Sequence, residues 1–84
     1  MTINEIKELI EAAINTTHVS VKGDGGMFDT IVVSEQFAGL SPVKKQQMVY
    51  ATVNSQITSG EIHALSIKAY TPQEWATASK LLIS

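Results

Sequence analysis

An α+β fold with a three-stranded mixed sheet is predicted by three observations. The N-terminal segment repeats apolar residues at helical spacing, the middle holds two strand-like runs joined by a glycine-rich turn, and two Ser/Thr-Pro pairs open later helices. The resulting order is helix, strand, strand, helix, strand, helix. A hairpin, a crossover helix and a third strand make a mixed sheet, because the crossover returns the chain parallel to the strand it left. Helices are expected on one face, and residues 1–84 read as one domain without linker, repeat or low-complexity segment.

Ile3, Ile6, Leu9, Ile10, Ala13 and Ile14 form the stripe of the first helix, with Glu5, Lys7, Glu8 and Glu11 opposite. Thr2 and Glu5 have capping-box spacing. His18 to Lys22 alternates, with Val19 and Val21 on one face, and leads into Gly23-Asp24-Gly25-Gly26. Phe28 to Ser34 follows as the second strand, its Ile31-Val32-Val33 too stiff at χ1 to favour a helix.

Ser41 caps the second helix and Pro42 occupies its first turn; the body is expected to reach about Ser59, with Val43, Tyr50, Val53 and Ile57 as its apolar stripe and Gly60 as its stop. Ile62 to Tyr70 forms the third strand, placing His63, Leu65, Ile67 and Ala69 on one face. Thr71-Pro72-Gln73-Glu74 repeats the start-of-helix grammar, so a last helix runs through Trp75 towards Leu81.

The chain has 84 residues, no cysteine, six lysines without arginine, and a net charge of −2. Disulfides, thiolate metal sites and cysteine nucleophiles are therefore excluded from its own chemistry. Phosphate and guanine recognition favour the arginine fork, so nucleic acid is disfavoured as the main partner. No apolar run approaches the roughly 20 residues of a membrane span, and the acidic N-terminus does not read as a secretory signal, so the expected location is cytoplasmic. Neither an HExxH-like motif nor a nucleophile elbow is present, which argues against an enzyme.

Three stretches carry more specific information. They are Phe37-Ala38-Gly39-Leu40-Ser41 leading to Val43-Lys44-Lys45-Gln46-Gln47 and Val49-Tyr50, then Ile62 through Tyr70, then Thr71-Pro72-Gln73-Glu74-Trp75. In these the chain resembles the BolA family over nearly its whole length, closest to the bacterial IbaG (YrbA) branch. The resemblance implies a fold similar to the type II KH domain and a non-enzymatic adaptor that pairs with a monothiol glutaredoxin. In such pairs a [2Fe-2S] cluster is shared, the glutaredoxin supplying a cysteine with glutathione and the BolA-like chain the histidine that matches His63. The implied work is iron-sulfur trafficking or iron sensing, with no cluster held by the isolated chain. A chain without thiolates fits a shared cluster, in which His63 supplies nitrogen as histidine does in Rieske-type centres.

The family pattern places a second ligand, histidine or cysteine, in the turn between the first two strands. Here that turn reads Gly23-Asp24-Gly25-Gly26-Met27, so Asp24 and Met27 are the donors available, an oxygen and a thioether. Lys44, Lys45 and Lys68, with Tyr70, Thr71 and Pro72, are the candidates for contacting the partner; Lys80 extends the basic set, and steering is the expected effect. Each lysine taken alone reads as solvated charge, and Tyr70 and Trp75 read first as anchors of the last helix. A lone histidine is usually a surface or hydrogen-bonding residue, the reading that holds for His18, and only the resemblance lifts His63 above it.

The alternative from another class is a KH-like DNA-binding transcriptional regulator linked to stress response. Gly23 to Gly26 matches a GxxG loop literally, yet here it joins two strands and carries an acid that repels phosphate. Association as a homodimer stays open at this level.

Overall fold

The computed structural model describes residues 2–83. Helix α1 (Ile3–Ala13) starts at a complete capping box: the Glu5 amide donates to Thr2 Oγ1 at 3.1 Å and the Thr2 amide to Glu5 Oε1 at 3.2 Å. Ile6, Ile10 and the C-cap Ile14 are buried, while Ile3 stays exposed on the first turn. Strands β1 (His18–Asp24) and β2 (Met27–Val33) form an antiparallel hairpin, and β3 (Ala64–Tyr70) pairs in parallel with β2, giving the order β1-β2-β3. The expected mixed sheet is therefore present.

Register fixes the two faces. Val19, Val21, Phe28, Thr30, Val32, Leu65, Ile67 and Ala69 point toward α1 and α2, and all but Val21 and Ala69 are buried. This side forms the core with Ile6, Ile10, Ile14, Phe37, Val49, Val53 and Ile62. Each fully buried Ile, Val or Phe contributes about 1.5–3 kcal/mol relative to exposure. The opposite face carries Ser20, Lys22, Asp24, Met27, Asp29, Ile31, Ala64, Ser66 and Lys68. At one end of that face Trp75 stacks on His18 (centroids 5.0 Å, interplanar 18°) and tilts against Tyr70 at 5.5 Å, next to the fully buried Val33.

The second helix departs from expectation. Instead of one helix to about Ser59 there are two, α2 (Pro42–Thr52) and α3 (Asn54–Thr58), preceded by a 3-10 turn at Glu35–Phe37. The break falls at Val53 (φ −124°, ψ 18°), where the Thr52 hydroxyl donates to the Val49 carbonyl at 2.7 Å and competes with the helical ladder. Val43 is 64% exposed and does not join the stripe; Val49 takes the place assigned to it. Val43 lies about a third of a turn off the line through Val49 and Val53.

Strand β3 also starts later than expected, at Ala64, so His63 precedes the strand and is exposed rather than sharing the inward face of Leu65 and Ile67. The outer edge of β3 is closed by α2. Tyr50 Oη donates to the Leu65 carbonyl at 3.0 Å and Gln46 Nε2 to the Ile67 carbonyl at 3.5 Å. Helix α4 (Pro72–Ile83) begins at Thr71, whose amide donates to Glu74 Oε1 at 2.8 Å while the Glu74 amide donates to Thr71 Oγ1 at 3.2 Å. No helix among the described residues is long and apolar enough to cross a membrane.

Candidate functional site

The turn between β1 and β2 is two residues long, with Asp24 opposite Met27 across it. Gly25 (φ 59°) and Gly26 (φ 83°) both adopt the left-handed backbone that a tight hairpin of this hand requires. The Gly26 carbonyl accepts two amides, from His63 at 2.7 Å and from Ala64 at 3.0 Å. This pair of bonds pins the start of β3 to the hairpin tip.

The same contact seats the His63 ring. A Cβ built on Gly26 would collide with His63 Cδ2 and lie 3.1 Å from Cγ and 3.3 Å from Nε2, so the imidazole occupies space that only glycine leaves open. The turn glycine thus has a second role, which the hairpin reading of the sequence did not show because it arises from strand pairing across the chain. Among the described residues the His63 imidazole makes no hydrogen bond, ion pair or ring contact. The residue as a whole is exposed.

Asp24 and Met27 lie at the same end of the sheet, and Met27 pairs with Ala64, the residue after His63. Met27 is 65% exposed. The tip therefore offers one imidazole, one thioether and one carboxylate. No group of three or more His, Cys, Asp or Glu side chains able to hold a metal occurs among the described residues.

The candidates for partner contact fall elsewhere. Lys45, Lys68 and Tyr70 line a groove of about 320 Å³ together with Pro42, Gln46 and Glu74. Lys45 Nζ is 2.9 Å from Glu74 Oε1, so its charge is already engaged. The Glu74 carboxyl is held below its ordinary value, first by the backbone amide of Thr71 and then by the Lys45 ammonium. Thr71 and Pro72 are the cap and first residue of α4, and Lys44 stands on the exposed first turn of α2 with its amide on Ser41 Oγ at 3.2 Å. Along β3 the lining of this groove runs from Ile67 to Tyr70, roughly 13 to 23 Å from His63. The groove therefore occupies the half of the strand away from His63.

The BolA-like protein family model matches residues 8–74. The chain belongs to the BolA family. The acid stress protein IbaG of Escherichia coli is 49% identical over 81 residues, which cover 96% of this chain and 96% of that protein. A BolA homologue of Coxiella burnetii superposes with a TM-score of 0.80 at 36% identity, covering 90% of this chain and 97% of that one. The BolA domain of SufE1 from Arabidopsis thaliana gives 0.77 at 33% identity, covering 86% and 93%. The resemblance read in the three stretches between Phe37 and Trp75 thus extends over nearly the whole chain, and this BolA-like chain has the α+β mixed sheet expected from the order of its elements.

Proposed function

We propose that this BolA-like chain is a non-enzymatic adaptor that docks on a monothiol glutaredoxin and contributes His63 to a shared [2Fe-2S] cluster. The observation that carries the reading is the exposed His63 imidazole, seated against Gly26 with no partner among the described residues, in a chain without cysteine. The donor set suits one ligand position and not a resident cluster. A [2Fe-2S] cluster asks for four ligands, normally thiolates, and imidazole is an accepted replacement. Met27 is the nearest further donor in the strand pairing, a thioether that prefers softer metals. The cluster is accordingly cargo: His63 supplies one ligand and the partner's cysteine and glutathione two, which leaves the fourth position to the turn, where Asp24 and Met27 are the donors on hand.

The chain's own residues position one nitrogen. The doubled bond to the Gly26 carbonyl holds the His63 backbone, and the missing Cβ of Gly26 sets where the ring lies. When bound, the cluster supplies the electron-transfer or sensing chemistry; this chain supplies a neutral ligand that raises its potential relative to thiolate. By analogy with the relative named for acid stress, the adaptor serves a stress response.

Mixing the protein with a glutaredoxin loaded with cluster and glutathione is expected to change the visible absorption and circular dichroism. The change should fall away in His63→Ala. Identical spectra with and without the protein, for every cognate monothiol glutaredoxin, would overturn the proposal.

A further inference from the structure

The position of His63 restricts where a partner that reaches it can lie. A specific interface covers about 800 Å² on each side, a disc of roughly 16 Å radius, so it cannot be confined to the hairpin tip. Two surfaces adjoin the tip. One is the open sheet face, where rows run Asp24-Met27-Ala64, then Lys22-Asp29-Ser66, then Ser20-Ile31-Lys68. The second is a groove between α1 and α3 lined by Glu5, Glu8, Leu9, Ala12, Gln56 and Glu61. For a footprint centred on His63, Lys68, about 16 Å along β3, lies at the edge, and Thr71, about 26 Å away, and Pro72 lie beyond it.

Charge decides between the two. The ferric ions and sulfides of an oxidised [2Fe-2S] core sum to about +2, the thiolates of the partner's cysteine and glutathione bring this to about 0, and glutathione's two carboxylates against one ammonium leave the bound group at about −1. The α1/α3 groove carries three carboxylates and no cation, so it repels such a group. On the open face Lys22 and Lys68 balance Asp24 and Asp29, and a shallow basin of about 400 Å³ lies around the half-buried Ile31. Met27 and Ile31 stand two rows apart on the central strand and supply exposed apolar surface, Met27 being 65% exposed.

We propose that the cluster-bearing partner docks across the open sheet face, with Met27 and Ile31 as apolar contacts and Lys22 and Lys68 facing its negative charge. This rests on the function proposed above and replaces the groove of Lys45, Lys68 and Tyr70 as the docking surface, keeping only Lys68.

The test is a binding titration of the full chain with a monothiol glutaredoxin, unloaded and loaded with cluster and glutathione, at low and high salt. Lys22→Glu and Lys68→Glu are each expected to weaken binding at least about fivefold at low salt, more for the loaded form, with the difference shrinking as salt rises. Lys44→Glu and Lys80→Glu, outside this face, should stay within about twofold of wild type. Ile31→Thr keeps a β-branched residue on the strand, and with an unchanged far-ultraviolet spectrum it should also weaken binding. Wild-type affinity in both face variants, with loss in Lys44→Glu, would overturn the docking surface while leaving the adaptor reading intact. No binding by wild type in either form would overturn both.

Discussion

Replacing Gly26 by alanine tests whether that residue does more than turn the chain. Gly25 and Gly26 both have positive φ, so alanine at either site meets the same kind of backbone strain, about 1–2 kcal/mol, partly offset by a stiffer unfolded chain. Their surroundings differ. A Cβ at Gly25 meets nothing within 4 Å, whereas one at Gly26 runs into His63 Cδ2. The ring must move aside, and a side chain pushed off a staggered well costs about 0.5–1.5 kcal/mol. Gly26→Ala is therefore expected to destabilise by about 1 kcal/mol more than Gly25→Ala in urea titrations at constant slope. In the His63→Ala background that excess should vanish, and the resulting double-mutant cycle should give a coupling well above the ~0.5 kcal/mol limit of additivity. The ring resonances of His63 should shift in Gly26→Ala and not in Gly25→Ala. Equal destabilisation at the two glycines, independent of His63, would refute the seat described for the imidazole.

Other outcomes follow from the core and the helix ends. Thr30 is 2% exposed and its hydroxyl has no hydrogen-bond partner among the described residues, so Thr30→Val should raise stability by about 1 kcal/mol in the same titration. Tyr50→Phe removes the hydrogen bond to the Leu65 carbonyl and should cost about 0.5–1.5 kcal/mol, visible as faster amide exchange along β3. Glu74 has its folded pKa lowered by the Thr71 amide and Lys45, so its contribution is complete above its ordinary carboxylate value and is lost as pH falls through the lowered one. Glu74→Gln should accordingly flatten the acid limb of a stability-against-pH curve and leave neutral pH less stable than wild type.

Much of this architecture was legible because local signals mark it. Ser41-Pro42 and Thr71-Pro72-Gln73-Glu74 start helices where their hydrogen-bonding chemistry requires, and the glycine pair before Met27 makes the hairpin. What escaped were features set by packing. Val43 and Val49 are the same residue type, and only the placement of α2 against β3 decides which is buried. The kink at Val53 depends on where the Thr52 hydroxyl turns, and the first residue of β3 depends on which amides the Gly26 carbonyl takes. The candidate site divides in the same way. His63 comes to lie against Gly26 of the turn because β3 pairs beside the hairpin. Tyr70, Thr71 and Pro72 are close to His63 in sequence, yet the seven-residue strand β3 carries them to the far end, where Lys45 of α2 meets them through Glu74. An extended chain turns small sequence separations into large distances, which residue type alone does not convey.

The side chains of Tyr50 and Gln46 on the β3 carbonyls have a consequence for assembly and folding. A parallel edge strand is the last to find its place, since its crossover must close first, and an open edge is a template for intermolecular cross-β growth. Here the helix of the crossover brings the groups that occupy that edge. Docking of the crossover and covering of the Leu65 and Ile67 carbonyls become one event, so the template along β3 is blunted as the strand pairs.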